Sequence, residues 1–156
     1  MLWASAKSVR EERSRQRYAL QDFALIKVSL VRGKSGWRIG SAESEVNYFT
    51  VAQSQAARAS IAAVVKLLRQ FVQGEVSHLE VFADAKSALL ASVSLPDAEV
   101  FKLKELFGFR LLYRLGYIAA HPEYMSFLTE EDWCQLGELN ERARKALDKA
   151  TLASHL

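Results

Sequence analysis

The chain has 156 residues, half of them hydrophobic, which is enough to bury a core in one domain or in two small ones. The only cysteine, Cys134, excludes an intrachain disulfide and a thiolate-rich zinc site and favours a reducing, cytoplasmic setting. No run approaches the roughly twenty apolar residues of a membrane span, and the N-terminus has no secretory pattern. We therefore expect a soluble protein that does not interact with membranes.

Positive charge is concentrated towards the N-terminus. Residues 1–40 carry nine Lys or Arg and three acids, a net charge of +6, whereas residues 41–156 carry a net charge of −3. Within residues 7–17, every second or third side chain is basic on an otherwise polar stretch. A basic head on a mildly acidic body is typical of a protein that binds a polyanion, most simply nucleic acid, with one end.

Strands are predicted in the first forty residues. Residues 2–9 alternate weakly, as in a short strand. In residues 23–31 every second side chain forms an apolar face, and the opposite face is mixed. A glycine-bearing connection at residues 32–36 leads into a second alternating segment at residues 37–40, so we predict a β-hairpin.

Helical spacing begins after Asn47 and predicts about four helices. The first ends at Gly74, the second begins at the capping-box pattern of residues 77–80, the third ends at Gly116, and the fourth begins at Thr129. The side chains expected to face the core from the second helix are Leu79, Phe82, Leu89 and Leu90. Those expected from the third are Val100, Leu103, Phe107 and Leu111, and those from the fourth are Leu136, Leu139, Ala143 and Leu147.

Three stretches of the chain resemble one known family. They are SAKSVREERSRQRYAL at residues 5–20, FALIKVSLVRGKSGWRIGSAE at residues 23–43 and FRLLYRLGY at residues 109–117. In order and spacing they are similar to the basic run, the β-hairpin and the Leu-Gly-Tyr helix end of the bacterial recombination mediator RecO. With helices in the matching order, the resemblance covers essentially the whole chain.

The resemblance implies an oligonucleotide-binding (OB) barrel followed by a helical domain. The expected fold class is therefore α+β, with an incomplete OB-like β domain of three strands at residues 1–48 and an all-helical domain at residues 49–156. The family's barrel begins with two strands that would precede residue 2. Either Met1 is an internal start in a longer reading frame, which we favour, or the β domain is a natural half-barrel with an exposed edge. The family's zinc module needs several cysteines, so the resemblance is to a short, zinc-free version.

The resemblance also implies a non-enzymatic function in DNA repair. RecO proteins bind single- and double-stranded DNA and anneal complementary strands. With RecR, they load RecA onto DNA coated by single-stranded DNA-binding protein. The implied partners are DNA, a RecR-like protein and the C-terminal tail of the single-stranded DNA-binding protein. No cofactor is implied, and the implied location is cytoplasmic and nucleoid-associated.

One group of residues is expected to contact DNA. Its members are Lys7, Arg10, Arg13, Arg15, Arg17, Lys34, Trp37 and Arg38. Cationic side chains suit phosphate oxygens without reading base sequence, and an aromatic ring on a strand can stack a base. The alternative for the cations is a solvated loop whose charges only favour solubility. For Trp37, a ring that fills or covers the barrel core is the more usual role.

A second group on the predicted third helix could bind a protein partner. Its members are Lys102, Lys104, Arg110 and Arg114. Arg110 and Arg114 are four residues apart and share a face. A groove that combined these bases with Phe101, Phe107 or Leu111 would suit the acidic, apolar-ended tail of the single-stranded DNA-binding protein. Solvated helix charges are the more usual explanation of such a pattern.

Catalytic motifs are not evident in the sequence. The three histidines are scattered without metal-ligand spacing, and Cys134, next to Trp133, is predicted to be a small buried hydrophobic residue in a helix. The rival to a DNA-binding function is a helical protein-interaction adaptor whose basic head serves only solubility. DNA affinity that falls steeply with salt would distinguish the two.

Overall fold

The computed structural model describes residues 4–6, 15–34, 36–74 and 76–153, and it is a mixed α+β structure, as predicted. Its strands are β1 (Ala4–Ser5), β2 (Ala24–Gly33) and β3 (Gly36–Asn47). The shorter helices are α1 (Arg15–Ala19), α2 (Tyr48–Val51), α5 (Asp97–Val100) and α7 (Met125–Thr129). The longer helices are α3 (Gln55–Phe71), α4 (Leu79–Ser94), α6 (Leu103–Arg114) and α8 (Glu141–Ala153).

One sheet contains the three strands in the order β1–β3–β2. β2 and β3 form the predicted antiparallel hairpin, which closes where Gly33 pairs with Gly36. The φ angle of Gly36 is +117°, a backbone conformation that glycine adopts readily. β3 is longer than the predicted segment of residues 37–40, because pairing with β2 continues to Asn47. β1 pairs in parallel with the start of β3.

Much of the sheet is accessible to solvent. β2 lies at its edge, and Val28, Leu30 and Val31 of this strand are exposed. The end of the hairpin far from the turn packs on the helices through Leu25 and Val46. The buried residues of this smaller core are Tyr48, Ala52, Ala57 and Ile61. The helical part therefore supports one end of the hairpin, and the other end projects away from this smaller core.

The main core lies among the longer helices. The predicted stripe of α6 is buried, with Leu103, Phe107 and Leu111 at most 1% exposed. α6 ends at Arg114, two residues before the predicted stop at Gly116, whose φ angle of +84° allows two backbone hydrogen bonds that close a Schellman cap. Aromatic rings of α6 and α7 meet edge to face in the same core.

α4 buries a face that differs in large part from the one predicted. Of the four residues expected to face the core, Leu89 is partly buried and packs against it. Leu79, Phe82 and Leu90 are 79%, 59% and 58% exposed, so their assignment to the core was wrong. The buried side chains are Val81, Ala85, Ala88 and Ser92. These residues are small, and the Ser92 hydroxyl forms a 2.9 Å hydrogen bond with a serine of α3. The predicted capping box is also wrong, since the cap residue His78 makes no side-chain capping bond.

The predicted fourth helix begins later than expected. Thr129 ends the short helix α7 instead of capping a new helix. α8 begins at Glu141, where the Asn140 side chain accepts a hydrogen bond from the Ala143 N–H. The irregular segment between these helices still contributes to the core. Its buried residues are Trp133, Leu136 and Leu139.

Candidate nucleic-acid interface

The distal end of the hairpin carries basic side chains on both faces of the sheet. Arg32 pairs with Trp37 across the strands, and its guanidinium carbon lies 5.2 Å from the centroid of the Trp37 ring. Directly opposed residues share a face of the sheet, and successive residues of a strand alternate between faces. Arg38, which pairs with Val31, therefore lies on the face opposite to Arg32 and Trp37. Lys34 is exposed in the turn. A ligand at this end would therefore meet cations from either side.

Two glycines shape this end of the hairpin. A Cβ atom on Gly33 would lie 3.3 Å from Arg38 Nε, so glycine leaves room for the guanidinium beside the turn. At Gly40 the pairing register shifts, which is a β-bulge, and a Cβ there would lie 2.9 Å from Ser29 Oγ. Ser29 Oγ instead accepts the Ser41 N–H at 2.8 Å. The bulge increases the local twist of the strands that carry the basic residues.

The charge of the hairpin is not balanced. Residues 24–47, which form its strands and turn, contain four Lys or Arg and two acids, Glu43 and Glu45. Glu43 lies opposite Lys27. The excess of positive charge is therefore at the end with the turn, where Arg32, Lys34 and Arg38 lie. Arg17 is exposed on α1, and this helix lies beside β3 because Gln16 Nε2 donates a 2.8 Å hydrogen bond to Gly40 O. An exposed surface with unbalanced positive charge attracts the phosphates of a nucleic acid.

The structure describes part of the predicted DNA-binding group. Lys7, Arg10 and Arg13 lie outside the described residues, and so does the side chain of Arg15, whose backbone begins α1. Lys34, Trp37 and Arg38 come together at the distal end of the hairpin, and Arg17 lies on α1. Trp37 is half-buried. Arg32 was not among the predicted contacts, because its position opposite Trp37 depends on the pairing register of the hairpin.

The second predicted group does not form a basic groove, because Arg110 is buried. Only 3% of this residue is exposed, and its guanidinium donates to Phe127 O at 3.1 and 2.9 Å and to Glu130 O at 2.6 Å. It also lies 3.6 Å from Asp84 Oδ1 and 4.2 Å from the centroid of the Trp133 ring. The expectation of a solvated Arg110 is therefore wrong. This side chain connects α6 to the end of α7.

The neighbouring cations are also bound to acids. The Arg114 guanidinium lies 3.0 Å from carboxylate oxygens of both Asp84 and Glu80, and Lys102 Nζ lies 3.0 Å from Glu99. A cleft of about 350 Å³ beside Arg114 also contains Glu131. Three acids in this cleft face two arginines, so it offers no excess of positive charge to an acidic tail.

The remaining members of the predicted groove are separated. Phe107 and Leu111 are fully buried, whereas Phe101 is largely exposed and Lys104 is exposed. Phe107 and Leu111 therefore cannot offer an apolar surface to a tail, because their side chains are occupied by the core. The expectation of a groove lined by Phe107 or Leu111 is therefore wrong. A role for Lys104 in binding a partner stays a prediction.

The pKa values of Arg110, which is buried, and of Arg114, which is partly exposed, depend on burial and on their shared neighbour Asp84. Burial lowers the pKa of Arg110, and the nearby Asp84 carboxylate acts in the opposite direction. Burial also acts to lower the pKa of Arg114, but the hydrogen bond and charge of Asp84, together with Glu80, outweigh it, so that pKa is raised. Arginine stays protonated in proteins, so this cluster is a charged network at neutral pH.

Cys134 is exposed in a turn, which corrects the prediction of a buried residue in a helix. Its N–H donates a 2.9 Å hydrogen bond to Asp132 Oδ1. The side-chain hydrogen bond with Asp132 raises the pKa of the Cys134 thiol. Within the described ranges, no group of three or more His, Cys, Asp or Glu side chains is placed to hold a metal ion.

Comparisons of this chain with models of protein families, with curated proteins and with solved structures find no significant match. The resemblance to RecO therefore depends on the three sequence stretches quoted above. Among the helices of the described residues, none is long and apolar enough to cross a lipid bilayer.

Proposed function

We propose that this protein binds DNA through the distal hairpin and acts as a RecO-like recombination mediator in DNA repair, without catalysing a reaction. The observation that carries DNA binding is the set of exposed cations Arg32, Lys34 and Arg38 around Trp37, in a stretch without acids. The mediator role follows from the sequence resemblance, as do an OB-like β domain, a RecR-like partner and the tail of the single-stranded DNA-binding protein.

Electrostatic neutralisation is the proposed mechanism of binding. Cations on both faces of the hairpin contact backbone phosphates and release the counterions condensed on them. Such contacts do not depend on base sequence. A protein that anneals complementary strands of any sequence needs contacts of this kind. Trp37 can add base stacking where its ring is accessible.

The test is a salt-dependent titration of labelled oligonucleotides followed by fluorescence anisotropy. The test variant replaces Arg32, Lys34 and Arg38 with alanine, and the control variant replaces Arg142, Arg144 and Lys145 of α8. Both variants lose three positive charges, and those of the control lie on α8, outside the proposed binding surface. The hairpin variant should bind more weakly, with a slope of log affinity against log salt reduced by about 2 to 3, since each phosphate contact contributes about 0.7 to 0.9.

Equal affinity and equal slope for the hairpin and α8 variants would remove the hairpin from the binding site. A wild-type protein that does not bind oligonucleotide at roughly 50 mM salt would refute the proposed function.

The exposed face of α4 favours a second candidate, the protein-interaction adaptor. Leu79, Phe82 and Leu90 lie within one face of the helix and are each more than half exposed. An adaptor of this kind would use α4 and would show no salt-dependent affinity for DNA. The same anisotropy titration therefore separates the two candidates.

A further inference from the structure

α3 carries a basic face that is separate from the hairpin. Arg58, Lys66 and Arg69 are exposed and fall within about 80° of one another around the helix, at 100° per residue. They extend over about 16 Å of helix, at about 1.5 Å per residue. Residues 55–71 contain no Asp or Glu, although residues 41–156 as a whole are net acidic.

Two cations of this face, Lys66 and Arg69, are not neutralised by any acid within the part of the chain that the structure describes. Among the described residues, neither Lys66 nor Arg69 forms an ion pair, whereas Arg114, Arg142 and other bases of the helical part are paired. The face between the cations contains the small residue Ala62, so the long side chains are not crowded. The opposite face of α3 is buried in the protein core, so it is not available to a lipid surface.

An aromatic pair lies at the N-terminal end of this basic face. The Phe49 ring, 39% exposed, stacks on Phe23 with centroids 4.9 Å apart and an interplanar angle of 19°. The Arg58 guanidinium lies 5.8 Å from the centroid of Phe49 and donates a 2.9 Å hydrogen bond to Ala52 O. Proteins that bind single-stranded nucleic acids use exposed aromatic rings to stack bases, and a neighbouring arginine adds a cation–π contribution.

The backbone at Phe23 is strained in a way that holds this pair. Its φ angle is +64°, which is unusual for a bulky residue that is not glycine. In this conformation Phe23 O accepts the Tyr48 N–H at 3.2 Å, which connects the start of β2 to α2. Backbone strain of this kind occurs often at ligand sites.

We propose that Phe49 and the basic face of α3 form a second contact for single-stranded nucleic acid. Phe49 stacks on a base, and Lys66 and Arg69 bind phosphates along α3. This inference depends on the proposed DNA-binding function and adds to it a surface in the helical part. A strand held at both the hairpin and α3 would extend across both parts of the protein.

The experiment measures binding of labelled oligo(dT) by fluorescence anisotropy at several salt concentrations. The variants are Phe49→Leu and the double variant Lys66→Ala/Arg69→Ala, with Lys145→Ala/Lys149→Ala on α8 as a control of equal charge change. The lysines and Arg69 are exposed, so these substitutions leave the core intact. Circular dichroism and thermal unfolding monitor the fold of each variant.

The two α3 changes should have different signatures. Lys66→Ala/Arg69→Ala should lower the affinity and reduce the salt slope by about 1.4, since each contact with a single strand contributes about 0.7. Phe49→Leu should lower the affinity by about tenfold and leave the slope unchanged, because stacking releases no counterions.

The possible failures can be told apart. If the wild type binds and the hairpin variant is weakened, but the α3 variants behave like the α8 control, the α3 inference is wrong and the proposed function stands. If the wild type does not bind any oligonucleotide, both are wrong. If Lys66→Ala/Arg69→Ala weakens the binding of poly-glutamate but not that of oligo(dT), the basic face serves an acidic protein partner and the inference is overturned.

Discussion

Replacement of Arg110 by alanine tests the role of the buried guanidinium. Arg110 donates three hydrogen bonds to the backbone oxygens of Phe127 and Glu130 and lies beside Asp84. Alanine would leave the Phe127 oxygen without its donor in the protein interior. It would also leave Asp84 with Arg114 as its partner. The contact with the Trp133 ring would be lost as well.

The expected loss of stability is large for one side chain. Removing one partner of a buried ion pair typically costs about 3–5 kcal/mol, and each stranded acceptor adds to this penalty. Because a protein of this size has a stability of about 5–15 kcal/mol, Arg110→Ala should remove a large share of it. At about 2–4 °C per kcal/mol, the Tm should fall by about 10 °C.

Urea denaturation and thermal melts would measure this change. Arg144→Ala is the control, because Arg144 forms its ion pairs with Glu138 and Glu105 at the surface, where such pairs contribute about 0–1 kcal/mol. Arg110→Lys keeps the positive charge but cannot reproduce the planar set of donors of a guanidinium. The stability of this variant should therefore lie between those of Arg110→Ala and Arg144→Ala. A urea midpoint of Arg110→Ala equal to that of Arg144→Ala would refute the reasoning.

Three further changes probe other sites. Burial raises the pKa of Tyr48. The stability that its neutral hydroxyl contributes is therefore complete below about pH 10 and is lost as the pH rises through the folded-state pKa. Tyr48→Phe should reduce this alkaline loss of stability, measured by urea denaturation at several pH values. Asp132 raises the pKa of the Cys134 thiol, so Asp132→Asn should increase the rate of reaction with a disulfide reagent near pH 8. Gly40→Ala should accelerate hydrogen exchange of the Ser41 amide, because its Cβ displaces the hydroxyl that accepts this N–H.

Controls sharpen these three results. Tyr18→Phe changes a largely exposed ring. This variant should therefore keep the alkaline loss of stability that Tyr48→Phe reduces. For Cys134, a rate unaltered by Asp132→Asn would contradict the assigned hydrogen bond. Gly137→Ala adds a Cβ with no atom within 4 Å, so it should leave the hairpin amides unchanged. Equal exchange in both alanine variants would argue against the bulge geometry.

Local patterns were enough to predict the hairpin, α3 and the end of α6. The alternation of residues 23–31 and the glycines around the turn specify two paired strands, since no distant contact is needed to form them. Gly116 was predictable as a helix end because a left-handed backbone there favours glycine. These features depend on residues that are close in sequence.

The buried face of α4 could not be predicted in this way. The helix has one stripe of large apolar side chains, including Phe82 and Leu90, and another of small ones, including Ala85 and Ala88. Area-based reasoning favours burial of the large stripe. The structure buries the small stripe, because α4 packs against both α3 and α6, which also contact each other, and dense packing of three helices favours small residues where they meet.

The candidate site was predictable in composition but not in arrangement. A basic N-terminal end follows from counting charges, whereas the pairing of Arg32 with Trp37 requires the hairpin register. Arg110 shows the limit most clearly, because its partners Phe127 and Glu130 lie 17 and 20 residues away in the chain. The periodicity of a helix shows which residues share a face, but it does not show that a later segment places its carbonyl groups beside Arg110.

The position of β2 at the edge of the sheet has a consequence for handling the protein. A ten-residue edge strand with exposed Val28, Leu30 and Val31 can pair with the same strand of another molecule, which is a route to aggregation. Lys27 and Arg32 on this strand repel their counterparts across such a contact. Salt screens this repulsion, with a Debye length of about 10 Å at 0.1 M. High-salt buffers, the usual choice for stripping nucleic acid from a preparation, would therefore promote association of the purified protein.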